Sequence, residues 1–235
     1  SAGLTEADFS ETDLSWANLN DVVAINANFN GANLTFGAAN GADAYTSTST
    51  GAAASIVTSS DTSGSDDYII IAGDITLEDA DNDDTLALNI VTTHALFQDM
   101  IVVGGGTNAV TITAGSGAGS TNVLQFDSDA AENNNIAAII NAAAAADTVN
   151  LVVTNTQGGA NTTTFTGAIG GTTAATALDA ITLNSGSDDP VTAVFSSTVN
   201  ATTLTILANT ASANEDAIGT FNGTLTLATS ATLTG

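Results

Sequence analysis

The sequence predicts an all-β protein whose chain winds into solenoid coils. Three observations carry that expectation. Residues 2–46 repeat with a period of five, which fits neither a 3.6-residue helix nor a two-residue strand. From Asp67 onward, short runs rich in Thr, Val and Ile alternate with Gly, Asn, Asp and Ser. Leu, Ile, Val and Phe make up only about a fifth of the chain, and Ala, Thr, Asn, Gly and Ser fill the balance. Small side chains of that kind suit thin, stacked cores rather than a bulky globular one.

Written in fives, the first stretch reads AGLTE, ADFSE, TDLSW, ANLND, VVAIN, ANFNG, ANLTF, GAANG, ADAYT. The third place holds Leu4, Phe9, Leu14, Leu19, Ala24, Phe29, Leu34, Ala39 and Ala44. The first is mostly Ala, and the second is Asp or Asn in six of nine units. Such a chain must turn a corner every five residues, with one large and one small side chain facing inward. The pattern resembles the pentapeptide-repeat family, with its A(D/N)LXX consensus. It departs at Val22-Val23-Ala24 and fades after Gly37. The resemblance implies a right-handed, four-sided β-helix with four units per coil. Leu14, Leu19, Phe29 and Leu34 would then stack along the axis, with Ala17, Ala27 and Ala32 at tight corners. Just over two coils leave apolar ends open, so they should stack on something.

Residues 47–66 are Ser/Thr/Gly/Ala-rich without a period and are expected to form a linker or surface loop. Residues 67–235 are expected to be a β-rich region, with a solenoid favoured over a β-sandwich. Its expected strands are 67–72, 85–92, 100–103, 109–113, 122–126, 148–154, 180–184, 191–196, 202–208 and 223–228. One inserted helix is expected near 129–146. Ser128 or Asp129 would cap it, and Ile136, Ile139, Ile140 and Ala143 would share a face. The C-terminal third resembles the Thr/Ala/Gly-rich strand repeats of bacterial surface proteins and autotransporter-type adhesins. TTTFTG, TAVFSS and GTFNG each precede a Thr-Leu or Thr-Ile strand. Strand pattern runs to Thr234, which suggests that another copy, or a removed continuation, completes the pairing.

The charge excludes several functions. There are 25 acidic residues, one His and no Lys or Arg among 235 residues, a net charge of −25. Ordinary usage would supply roughly 25–30 basic residues. Nucleic-acid binding loses its electrostatic term, and anionic lipid is disfavoured for the same reason. The longest apolar run, 136–146, is broken by Asn141 and too short to span a bilayer, so no membrane insertion is expected. There are no cysteines, so thiolate metal sites are excluded. The opening Ser1-Ala2-Gly3 reads as a processed N-terminus or a fragment.

No enzyme is expected. His94 lies beside Ala95, Leu96 and Phe97, a structural setting, and no nucleophile-elbow motif accompanies it. Polysaccharide-cleaving β-helices lean on Lys or Arg, and adjacent Asp188 and Asp189 are poorly spaced to flank one glycosidic bond. The candidate metal ligands are Asp79, Asp81 and Asp83, whose carboxylates recur every second residue as in D-x-D-x-D calcium loops. Asp84 stands where such a loop has glycine, and Ile90 where it has glutamate. The alternative is a solvated acidic turn. Asp66-Asp67, Asp127-Asp129-Glu132, Asp188-Asp189 and Glu215-Asp216 are weaker candidates. Sequons occur at Asn33, Asn161, Asn200 and Asn222.

These readings point to a structural subunit of an extracellular filament or surface layer, one that assembles with other copies of itself through open solenoid ends. Structural Ca²⁺ would screen its charge. An adhesin or stalk segment that binds surface glycans is the alternative. A DNA-mimicking inhibitor fits less well, because only six of the 25 acidic residues lie in the repeat. Ice binding fits less well because the Thr-x-Thr pairs recur at irregular spacing.

Overall fold

A computed structural model describes the strands between Ala2 and Ile90 as backbone, with side chains given for Ile75 and 86–90. From 94 to 234 it describes the chain except 99, 104–108, 116–118, 128–132, 157–159, 172, 174–175, 185–189 and 209–215. The first coils hold β1 (Ala2–Gly3), β2 (Asp13–Leu14), β3 (Val22–Val23), β4 (Ala27–Asn30), β5 (Asn33–Phe36) and β6 (Tyr45–Ser47). Then come β7 (Ala53–Ser59), β8 (Tyr68–Ile71), β9 (Ile75–Leu77), β10 (Thr85–Ile90), β11 (His94–Phe97) and β12 (Ile101–Val103). They are followed by β13 (Ala109–Ala114), β14 (Thr121–Asp127), β15 (Asn134–Ile136), β16 (Ala138–Ala142), β17 (Thr148–Thr154) and β18 (Thr162–Phe165). The last are β19 (Leu178–Asn184), β20 (Val191–Phe195), β21 (Val199–Leu207), β22 (Ala217–Phe221) and β23 (Leu225–Thr234).

Every strand pairing among the described residues is parallel, and apart from the pair β1-β3 the strands sort into three faces. The first runs β4-β7-β10-β13-β16, the second β2-β5-β8-β11-β14-β17-β19-β21-β23, and the third β6-β9-β12-β15-β18-β20-β22. Each strand inside a face therefore pairs with the strand one coil before it and the strand one coil after. This is a β-solenoid and not the sandwich kept as its alternative. Beyond β16 the first face narrows to single bridges, Ile140 to Ile169 and Ile169 to Val199.

The core follows from alternation within each strand. In β13, Val110, Ile112 and Ala114 point inward while Thr111 and Thr113 point out; in β17, Val149, Leu151 and Val153 point inward. Parallel register then stacks like on like, as in the column Leu124, Leu151, Ile181, Leu204. Phe97 stacks on Phe126 with centroids 4.8 Å apart, on the second face. One coil on, Val153 takes the place of Phe126, and Phe165 on the third face takes the place of Ile136. Core volume per coil is thereby kept while the aromatic changes face. Phe126 and Phe165 meet edge to face at 5.1 Å and 84°, and Phe165, Phe195 and Phe221 then stack at 5.0 and 4.7 Å.

Two expectations are corrected. The segment expected as a helix near 129–146 is strand and turn over its described residues: β15, β16 and a turn in which the Asp147 amide donates to the Ala144 carbonyl. Ile136, Ala138, Ile140 and Ala142 are buried, while Ile139 is 39% exposed. That is a period of two. The helical propensity of Ala loses to ladder hydrogen bonds with β13 on one side and to the narrow core, where Ala fits. The stretch 47–66 contributes β7, paired with β4 and β10, so 53–59 are part of the first face rather than linker. In the pentads, Ala2 pairs with Val22 and Asp13 with Asn33, each a step of 20 residues, or four units. The inward stack expected of Leu14, Leu19, Phe29 and Leu34, and the corners at Ala17, Ala27 and Ala32, concern side chains outside the described residues.

Candidate functional site

The candidate site is the last coil. The second face ends at β23 and the third at β22, so among the described residues neither strand has a neighbour beyond it. Their inward positions are set by register. Ala217, Gly219 and Phe221 continue the positions of Val191, Ala193 and Phe195. Leu225, Leu227, Ala231 and Leu233 continue those of Val199, Ala201, Leu204 and Ile206. In the coil before, Val191, Ala193, Phe195 and Leu204 are buried; in the last coil Leu233 is 74% exposed and Ile218, pointing outward, 48%. Among the described residues that core rung is thus covered on one side only.

Two of the usual protections, charge and proline, are absent from β22 and β23. Native edge strands carry charges or proline, or are shielded by a bulge or a covering element. No charged residue and no proline follows Asp216 in this chain of net charge −25. One irregularity is present: the register shifts between Ala201 and Thr203, so Ala228 and Thr229 oppose Thr202, and the Thr229 hydroxyl donates to the Thr202 carbonyl at 2.9 Å. The bulge leaves Ser230–Thr234 as a straight stretch in register with Thr203–Leu207. The strand pattern running to Thr234 points to an unpaired edge in the sequence, but not to which side chains of β22 and β23 lie on it.

The other candidates fall into place around the solenoid wall. His94 lies on the outer side of the second face, its Nε2 2.9 Å from the Gln125 Oε1, and Gln125 donates in turn to the Thr154 hydroxyl at 3.0 Å. Burial lowers the His94 pKa from 6.5, and the Gln125 hydrogen bond opposes the shift. The ring belongs to a polar ladder between coils. Carboxylates, buried at Asp127 and Asp147 and half-buried at Asp179, also clip coils together. Asp147 Oδ1 accepts from the Gly119 and Ser120 amides at 3.1 and 2.9 Å and from the Ser120 hydroxyl at 2.9 Å. Asp127 accepts from the Thr156 amide at 2.8 Å and from its hydroxyl, and Asp179 from the Val149 amide at 2.9 Å. Gly115, at φ 107, lies against Asp147: a Cβ there would sit 2.5 Å from Oδ2.

Asp79, Asp81 and Asp83 lie outside the described residues, as do Asp66, Asp67, Asp129, Glu132, Asp188, Asp189 and Glu215. Among the described residues no group of three His, Asp or Glu side chains is placed to hold a metal ion. Of the sequons, Asn222 is exposed, while the Asn200 amide donates to the Gly171 carbonyl.

Compared with known protein families, residues 4–43 match the model for pentapeptide repeats, in 8 copies. The N-terminal segment is therefore a run of pentapeptide repeats, continued by a solenoid of other sequence. Neither the curated proteins nor the solved structures give a match to this chain.

Proposed function

We propose that the protein is a structural subunit of an extracellular filament or surface layer, not an enzyme, and that it associates with other copies of itself through its solenoid ends. The observation that carries this reading is the apolar rung of β22 and β23, half-covered among the described residues and free of charge in a chain of net charge −25. Covering that rung removes apolar surface from water at about 25 cal/mol per Å² and supplies partners for the edge amides and carbonyls. The confinement of His94 to the Gln125 ladder supports a structural use of the one imidazole. Negative-stain microscopy of the purified chain at rising concentration is the test. Filaments or sheets are expected; single particles at every concentration would remove the reading.

Calcium belongs to the same proposal, with Asp79, Asp81 and Asp83 as ligands. An ion held only by the folded protein stabilises it by mass action. Melting in millimolar Ca²⁺ should exceed melting in chelator by several degrees, and identical curves would remove the metal.

One observation favours an adhesin or stalk as the second reading. The outer column Thr182, Thr205 and Thr232 is in register and uncharged, a flat hydroxylated strip suited to neutral surface glycans. Glycan binding by the monomer, without assembly, would favour it.

A further inference from the structure

We infer that Gln125 and Thr154 join in an ester bond between neighbouring coils, formed by the chain itself with loss of ammonia and assisted by His94. The inference is independent of the association proposed above.

Three successive strands of the second face bring the reacting groups together. His94 is on β11, Gln125 on β14 and Thr154 on β17. The Gln125 Nε2 donates to the Thr154 hydroxyl oxygen at 3.0 Å. On its other side, the Gln125 Oε1 lies 2.9 Å from the His94 Nε2. A carboxamide oxygen only accepts, so the imidazole presents Nε2–H to it. Burial lowers the His94 pKa from 6.5, so the ring is uncharged at neutral pH and carries a single N–H. The carboxamide is thus held with a donor on its oxygen and a hydroxyl against its nitrogen. Attack on an amide carbon needs those two groups: a nucleophile, and a donor where the oxyanion develops.

The surroundings favour the reaction. Leu96 opposes Gln125 in β11, and Val152 opposes it in β17. Leu96 is only 9% exposed, and His94, Gln125, Val152 and Thr154 are half-buried. Apolar neighbours strengthen the hydrogen bond that polarises the carbonyl. They also limit water, which would compete with Thr154 for the carbon.

The carbon lies one bond, about 1.3 Å, from the nitrogen. Rotation about the soft terminal torsion of Gln125 turns its face to Thr154 at the roughly 3–3.5 Å of a near-attack arrangement. The hydroxyl oxygen adds to the carbon, and the carbonyl π pair moves onto Oε1, where the His94 N–H meets it. The nitrogen, no longer conjugated, regains its lone pair and takes the hydroxyl proton. The carbonyl re-forms, the C–N bond breaks with its electrons on nitrogen, and ammonia leaves. One C–O bond is made, one C–N bond is lost, and no oxidant or further reactant is consumed. The chain holds neither Cys nor Lys, so neither a disulfide nor a lysine amide can tie its coils. The ester would join residues 29 apart and constrain the unfolded chain as a disulfide does.

Intact-mass spectrometry of the purified full chain tests the inference, with folding checked by circular dichroism. Loss of ammonia should lower the mass by about 17 Da from that of the sequence, and proteolytic mapping should find Gln125 and Thr154 in one joined fragment. Thr154→Val keeps the branched shape without the hydroxyl and should show its full mass. His94→Leu should carry at least tenfold less of the joined chain at equal age. A folded parent at the full sequence mass would overturn the inference. So would a deficit that survives in Thr154→Val, because the ammonia would then come from another amide. Equal joining in His94→Leu would overturn the part given to His94.

Discussion

The two ends of this solenoid obey the same hydrogen-bonding rule and look nothing alike in sequence. In the N-terminal coils the step is 20 residues, and every unit is five residues long. In the later coils the step varies: 24 from Leu88 to Ile112, 28 from Ile112 to Ile140, 30 from Phe165 to Phe195 and 26 from Phe195 to Phe221. Strand register is equally strict in both, because a one-residue slip would turn every inward side chain outward. What differs is the corner. A corner of fixed length prints its period on the sequence; a corner that absorbs extra residues erases the period and keeps the fold.

Changing corner length should therefore break one region and spare the other, and this is the largest contrast expected. Two residues inserted after Gly31 shift every following pentad off its inward position and should abolish the N-terminal coils, read as loss of their protected amides. Two residues inserted within 185–189 only lengthen a connection between β19 and β20. Each doubling of loop length costs only about 0.6 kcal/mol, so melting should shift by no more than a few degrees. Equal damage at both places would undo the comparison.

The aromatic ladder sharpens it next. Phe195 is buried between Phe165 and Phe221, while Phe221, among the described residues, stacks on Phe195 alone and is half-buried. Phe195→Ala should cost about 3–5 kcal/mol in denaturant unfolding. Phe221→Ala should cost less than half of that in the monomer. A Phe221 cost equal to that of Phe195 would mean that the last rung is already covered.

The corner clips come third. Asp147 is 3% exposed and holds two amides and a hydroxyl of the preceding coil. Asp147→Ala leaves the Gly119 and Ser120 amides without that acceptor and should cost about 1–3 kcal/mol. Asp216→Ala, at an exposed position, should change stability by less than about 0.5 kcal/mol and serves as the control.

His94 gives the smallest effect. Its folded pKa lies below 6.5, so between that lowered value and 6.5 the unfolded chain binds more protons than the folded one. Its contribution is fully present above about pH 6.5 and is lost as pH falls toward the folded value. The difference should stay below about 1 kcal/mol, because the ring is partly solvated. His94→Gln should flatten the stability profile between pH 7 and 5.5, and an unchanged slope would assign that slope to the carboxylates.

How far the fold could be read from the sequence follows the same division. The pentads announced themselves because their corners are fixed. Most later strands were legible from alternation in β13, β17 and β20. β15 and β16 were not, because Ala and Ile at 136–146 satisfy a helical stripe as well as a period of two, and only the neighbouring strands decide between them. β7 was missed because it lies in a stretch of Ser, Thr, Gly and Ala without a period, the composition of a loop, and only its pairing with β4 and β10 shows it as strand. The TTTF, TAVF and GTF segments were visible as a loose repeat, and the Phe165–Phe195–Phe221 stack explains it: they are successive coils with unequal corners. The site was legible only in part. Strand pattern running to Thr234 hinted at an open edge, but the identity of the uncovered side chains depends on register across β21–β23, which sequence alone does not contain.

The most direct test of the central claim, that the last rung is completed by association, is amide hydrogen exchange measured across protein concentration. β17, β19 and β20 pair on both sides and should be protected at every concentration. β22 and β23 should exchange quickly in dilute protein and become protected by at least tenfold as concentration rises. Protection of β22 and β23 that does not change with concentration would contradict the account.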